Sequence, residues 1–445
     1  MKIYNPATEE LIQEVEADTL FTLQRKFEEL RKGQKIWLKT PIQVRIAKIK
    51  RFSEFLQEQK NSLAKVLHGE TGKLLTEAHN EIKGACTRIQ FFLDHTENVL
   101  QEKIVNESLN VQEILAFEPL GVVGNISAWN YPYLVGVNVL IPALLAGNAV
   151  LYKPSEYATL TGLCIEALLH QADIPKNVFS AAIGDGCVGK GMLDLPLNGY
   201  FFTGSYQTGK FISEAVAHKL VPVGLELGGK DPVYVMDDAD NILEVAQHLV
   251  EGAFYNNGQS CCAVERIYVH ERIYDAFLHG YVDEVKKIEN PPPLTRPQHI
   301  AVLEEQVHDA VKKGAVLALG GKRMAKKGSF FEPTVLINVN HTMKVMRDES
   351  FGPIIGIQKV SSDEEGLQRM QDTEYGLTAG IYGRDAARAR QLLQQMDVGT
   401  GYFNCCDRVS PYLPWSGRRH SGLGATLSYL GILSFVKPKG YMLRR

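Results

Sequence analysis

Asn257-Gly258-Gln259-Ser260-Cys261-Cys262 sets two cysteines after an apolar helical run and before a strand-like one. In such a loop a cysteine is able to be partly exposed, and its thiolate is a strong nucleophile. Free cysteine is also among the most buried residue types, so a cysteine pair read alone is more often two core side chains. Glu226 lies in Leu225-Glu226-Leu227-Gly228-Gly229-Lys230. It is either a surface carboxylate before a turn or a carboxyl in an apolar pocket, where a raised pKa would suit a general base. Asn130, in Ala128-Trp129-Asn130-Tyr131-Pro132, follows a strand. Its amide either donates to a developing oxyanion or closes an Asx turn before a helix with proline in its first turn.

A second set of residues suits phosphate and sugar. Phe202-Thr203-Gly204-Ser205 precedes a helical stretch, whose first N–H groups can hold a pyrophosphate. Gly184-Asp185-Gly186-Cys187-Val188-Gly189 fits GxGxxG, a weak pattern by itself. Lys153-Pro154-Ser155-Glu156 follows a strand; such a pair binds ribose hydroxyls or is simply two solvated loop charges.

The elements that position these groups follow from pattern. The chain has 445 residues, enough for two or three domains, with 45% hydrophobic and 22% charged residues. Lys+Arg number 48 and Asp+Glu 51, a net charge of −3 that gives no reason to expect nucleic acid. The seven cysteines are odd in number and none forms CxxC, so we expect no metal and a reduced, cytoplasmic protein. No signal-like run opens the chain. The most apolar stretch, 133–151, reads as a buried helix and a strand instead of a membrane span.

The first hundred residues read as helices, with helical spacing over 19–37 and 42–68, and 101–120 reads as a polar hairpin. From residue 121 strands (121–126, 148–152, 178–183) alternate with helices (134–146, 159–170). A second run starts near Asp231, with strands at 232–236 and 266–269, helices at 241–254 and 273–287, and a rigid Pro291-Pro292-Pro293 loop. Alternation of this kind predicts two α/β units, each on a parallel sheet.

Taken in order, these segments resemble the aldehyde dehydrogenase superfamily over nearly the whole chain, from Tyr4-Asn5-Pro6-Ala7-Thr8 onward. Glu349-Ser350-Phe351-Gly352-Pro353 and Pro414-Trp415-Ser416-Gly417 through Ser421-Gly422 complete the set. The resemblance implies a Rossmann-like NAD-binding domain (1–100 and 120–228), an α/β catalytic domain (229–428) and a β oligomerisation arm (101–119 and 429–445). Within that arm, Ile432 to Val436 would be a strand donated to a neighbour in a homodimer or homotetramer.

By resemblance Cys261 is the nucleophile and Cys262 its bystander, Asn130 the oxyanion donor with the Cys261 N–H, and Glu226 the base that activates water. Lys153 and Glu156 would bind the adenosine ribose, Trp129 the adenine side, Ser205 the pyrophosphate, and Glu349 and Phe351 the nicotinamide end. Ile126, Ser127, Ser155, Gly186 and Gly204 complete the expected cofactor contacts. The implied reaction oxidises an aldehyde with NAD through a thiohemiacetal and thioester, then hydrolyses the thioester. A carboxylate at Glu156 favours NAD over NADP, whose 2′-phosphate it repels. Glu226 argues against a coenzyme-A-acylating relative, and the intact Cys261, Glu226 and Asn130 argue against an idle one.

The chain departs from the family pattern at Val139, where many members carry lysine, and at Trp415-Ser416-Gly417 and Arg419. For the substrate, a small or medium aldehyde or semialdehyde, Tyr131, Tyr133, Asn138, Tyr255, Asp407 and Arg408 are candidates, with Arg408 meeting an acid end.

Overall fold

The computed structural model describes residues 1–444. Two mixed sheets dominate it. A six-stranded sheet runs in the order Gly422–Leu423, Val223–Glu226, Gly199–Thr203, Val122–Ile126, Ala149–Lys153, Phe179–Ala181, all parallel except the first pairing. A seven-stranded sheet holds Val316–Leu319, Thr334–Ile337, Ile354–Val360, Val264–His270, Asp231–Val235, Thr378–Tyr382 and Thr400–Phe403. Only its Val316–Leu319 edge is antiparallel. The α/β class predicted from the alternation is therefore the one observed.

The causes are local. Ala149–Lys153 is buried along its whole length, as expected of a parallel strand covered on both faces. Helix Leu20–Trp37 starts at Thr19, whose hydroxyl accepts from the Thr22 N–H, and it buries Leu23, Phe27 and Leu30 at helical spacing. Helix Pro132–Leu145 opens on proline, a residue whose missing N–H costs nothing at that position. The 133–151 stretch is thus a buried helix and a strand, and no helix among the described residues is long and apolar enough to cross a membrane.

Three elements differ from expectation. The run 42–68 is two helices, Ile42–Glu58 and Lys60–Thr71, broken at Gln59; the buried residues keep their spacing across the break, so the pattern hides it. Gly422–Leu423, expected in the catalytic unit, pairs instead with Leu225 and Glu226 on the six-stranded sheet.

The third difference is at the C-terminus. Residues Ser428–Leu433 are helical, and the strand begins later, at Val436–Arg444. That strand pairs with Val111–Pro119 of its own chain, which in turn pairs with Lys103–Glu107. The apolar run that suggested an exported strand is core instead. Ile432 and Phe435 are fully buried, and Phe435 lies 4.4 Å from the Phe201 ring. Asn148 Nδ2 also donates to the Phe435 carbonyl, anchoring the run to the first sheet.

Candidate active site

The site begins where helix Ile242–Phe254 ends. Asn256, Asn257 and Gly258 follow with φ of 51°, 56° and 70°, three left-handed residues in succession. Asparagine tolerates that region better than other side chains do, and glycine needs no tolerance. Gly258 is required for a second reason: a Cβ there would lie 2.3 Å from the Gly352 carbonyl oxygen. The bend is held by Asn257 Nδ2, which donates to the carbonyl of Pro292 in the rigid proline loop at 2.9 Å. It delivers Cys261 to the wall of a cavity of about 810 Å³.

The two cysteines part company here. Cys261 is half-buried and borders the cavity. Cys262 is buried, and its thiol donates to Asp407 Oδ1 at 2.9 Å. Its hydrogen bond with Cys261, and then its burial, push the Cys262 thiol well above the usual range, so it stays protonated. Burial raises Asp407 itself to about 6.

Asn130 is buried, and its Nδ2 donates to the carbonyl of Gln259, two residues before Cys261. That bond uses one amide hydrogen and leaves the other to be offered to a ligand. The Asn130 carbonyl accepts from Lys73 Nζ at 2.6 Å and from Asn256 Nδ2 at 3.3 Å. Lys73 Nζ also donates to Glu81 Oε2 and sits 3.8 Å above the Tyr131 ring. Glu81 Oε1 accepts from the Tyr133 N–H, and Glu77 Oε1 from the Asn256 N–H. Lys73, Glu77 and Glu81 went unread in the sequence. Their signal was present: Glu77, Glu81, Gly84 and Arg88 fall on one face of helix Leu75–Leu100, and all four border the cavity.

Tyr131, Asn138, Tyr255, Asp407 and Arg408 share the cavity with Cys261. Tyr133 does not; it is fully buried in an apolar core with Val137, Leu140 and Ile165. Arg408 is at the exposed rim, 3.8 Å from Glu251. Glu226 is elsewhere. Its carboxyl borders a second cavity of about 230 Å³ with Val139 and Thr426. Oε1 accepts from Thr426 Oγ1 at 3.2 Å, while Oε2 is buried with no partner among the described residues. Burial raises this carboxyl to about 8.

The cofactor candidates gather at the carboxyl ends of adjacent parallel strands, where Ile126 is paired with Lys153 and with Phe202. The Ser127 N–H donates to the Lys153 carbonyl. Lys153 is buried, with Nζ 3.8 Å from Glu156 Oε2, and Ser155 Oγ is 3.4 Å from the same carboxylate oxygen. Ser205 caps helix Tyr206–Val216 next to Gly204, and Gly186 is the first residue of helix Gly186–Asp194. Glu349 Oε1 accepts from the Gly229 N–H, and a Cβ on Gly228 would lie 2.3 Å from Glu349 Oε2. Trp129, expected on the adenine side, has its ring 5.5 Å from Phe351, the residue expected at the nicotinamide. The same ring lies 6.5 Å from Tyr157, next to Glu156, so Trp129 stands between Phe351 and the Lys153–Glu156 loop.

A thiol on a cavity wall, a buried amide bonded to the same loop, a carboxyl raised by burial and a strand-end crevice are the parts of a nucleotide-dependent oxidoreductase. The model of the aldehyde dehydrogenase family matches residues 1–440, and the chain belongs to that family. It is 33% identical to glutarate-semialdehyde dehydrogenase of Pseudomonas aeruginosa, over 99% of this chain and 93% of the relative. Among solved structures it is similar to an NADP-dependent enzyme of E. coli (TM-score 0.96, 28% identity, 100% of this chain and 94% of the other). It is also similar to betaine aldehyde dehydrogenase of Staphylococcus aureus in complex with NAD+ (TM-score 0.95, 28% identity, 100% and 91%). The protein is an NAD(P)-dependent aldehyde dehydrogenase.

Lys73→Met leaves Glu81 buried without its cation. We predict a destabilisation of about 3–5 kcal/mol, read as a lowered denaturation midpoint, together with a lower kcat. Unchanged stability and kcat would show that the pair does not hold Asn130.

Proposed function

We propose that this enzyme oxidises a small or medium aldehyde to the acid through a thioester on Cys261, which Glu226 then hydrolyses. The position of Cys261 on the cavity wall carries the reading. The thiolate adds to the aldehyde carbon, and charge gathers on the former carbonyl oxygen. The second Nδ2 hydrogen of Asn130 and the Cys261 N–H stabilise that oxygen; one such donor is worth about 3 kcal/mol. A bound nicotinamide supplies the acceptor for the hydride that the adduct loses. Glu226 then leaves Thr426, turns toward Cys261 and takes the proton of the attacking water. Val139 rules out a lysine relay at its position, so the proton leaves Glu226 toward the cavity bordered by Thr426.

The crevice fits a dinucleotide. Lys153, Ser155 and Glu156 would take the adenosine ribose, Gly186, Gly204 and Ser205 the pyrophosphate, and Trp129, Glu349 and Phe351 the nicotinamide end, beside Ile126 and Ser127. We assign NAD as the preferred cofactor because Glu156 is a carboxylate with a half-exposed side chain. Equal kcat/KM with NADP would contradict this. We assign the six-stranded sheet to the cofactor domain, the seven-stranded one to the catalytic domain, and the three-stranded sheet to an arm for homodimers or homotetramers. Ile104, Val105 and Met442 on that arm are exposed apolar side chains that a partner would cover.

Cys261→Ala tests the core of the reading: aldehyde oxidation without coenzyme A should vanish, and activity near wild type would refute the assignment. The pH profile tests Glu226. With a pKa of about 8 only about a tenth of it is ionised at pH 7. Where hydrolysis limits turnover, the rate should climb nearly tenfold between about pH 6 and 7 and level off above about 8. A flat profile across that range would contradict Glu226 as the base.

A further inference from the structure

Two arginines border the Cys261 cavity, and they are opposite in kind. Arg408 is solvent-exposed at the rim and already faces Glu251. Arg88 is 8% exposed and belongs to the inner wall. Its Nη1 donates to the Leu134 carbonyl at 3.2 Å and to Asn138 Oδ1 at 3.0 Å. Both acceptors are neutral. No carboxylate among the described residues lies within 4.0 Å of the guanidinium. Among the described residues its Nε and Nη2 have no protein acceptor, neither is sealed from solvent, and the side chain borders the cavity.

A buried cation without a counterion is costly, and burial lowers Arg88 to about 10, which still leaves it charged at neutral pH. The nearby carboxylates do not neutralise it. Glu81 is held by Lys73 and the Tyr133 N–H, Glu77 by the N–H groups of Asn256 and Leu74, and Asp407 by the Cys262 thiol. Asn138 adds a second feature. Because its oxygen accepts from Arg88, its Nδ2 is left as a further donor beside the guanidinium. A planar fork with an amide donor next to it matches a carboxylate.

We propose that Arg88 and Asn138 form the anion subsite of the substrate cavity, so that the preferred substrates are aldehydes carrying a carboxylate a few carbons from the reacting carbon. The proposal rests on the reading of Cys261 as nucleophile and names the substrate class of that site. It replaces Arg408 as the residue that meets an acid end. A cationic aldehyde is disfavoured by the same group.

The test compares succinate semialdehyde, glutarate semialdehyde, butanal, pentanal and 4-aminobutanal with the wild type, Arg88→Gln and Arg88→Lys. In the wild type the carboxylated aldehydes should exceed their neutral counterparts at least about tenfold in kcat/KM. Arg88→Gln should lower kcat/KM for them about 100-fold, chiefly through KM, and leave the neutral aldehydes within about threefold; Arg88→Lys should recover part of the loss. A wild type that favours neutral or cationic aldehydes overturns the proposal, whether or not the variants fold. So does an Arg88→Gln enzyme that loses neutral and carboxylated substrates alike, since Arg88 would then act on the thiol or on packing. No oxidation of any aldehyde by the wild type would bring down the Cys261 reading beneath it.

Discussion

The carbonyl oxygen of Asn130 accepts from Lys73 Nζ and from Asn256 Nδ2, and the rest of the site depends on that junction. Lys73 precedes the long helix Leu75–Leu100, Asn130 follows a strand of the six-stranded sheet, and Asn256 precedes the cysteine loop. One oxygen atom thus ties three separate segments. The return bond, from Asn130 Nδ2 to the Gln259 carbonyl, makes the arrangement reciprocal. Buried polar groups that satisfy one another in this way define one geometry, because any slippage leaves an unpaired donor or charge at a cost of several kcal/mol. The Asn130 amide and the Cys261 loop are therefore fixed relative to each other.

Glu226 stands outside this junction. Its carboxyl is held by Thr426, borders the same cavity as Val139, and is kept largely protonated at neutral pH by burial. In the proposed reaction an acid group held apart from the thiol does not interfere with acylation and becomes a base only when it turns. Gly422–Leu423 pairs with the Glu226 strand and brings Thr426 into reach of the Glu226 carboxyl, a contact that its distance along the chain conceals.

Much of this was legible because the pattern and the chemistry were local. Alternating apolar strands and helices announce a parallel sheet, and Asn-Asn-Gly before a cysteine suits the left-handed bend that was found. What stayed hidden depends on distance. Nothing near Ile432 reveals that Phe435 packs on Phe201, so an apolar run read as an exported strand proved to be core. Glu77, Glu81 and Arg88 look like ordinary helix charges until the fold turns that face toward the cavity, and Lys73 looks like a loop charge until it meets Glu81. The meeting of Trp129 with both Phe351 and Tyr157 was hidden for the same reason, since the three lie far apart along the chain.

The central claim is that the acyl group passes through the sulfur of Cys261 and waits there for Glu226. Mass spectrometry of Glu226→Gln, quenched in acid within one turnover after mixing with NAD and a semialdehyde, addresses it directly. The account predicts an acyl mass increment on the peptide that carries Cys261, formed with one equivalent of NADH. An increment on another residue, or steady product formation with no adduct, would contradict it.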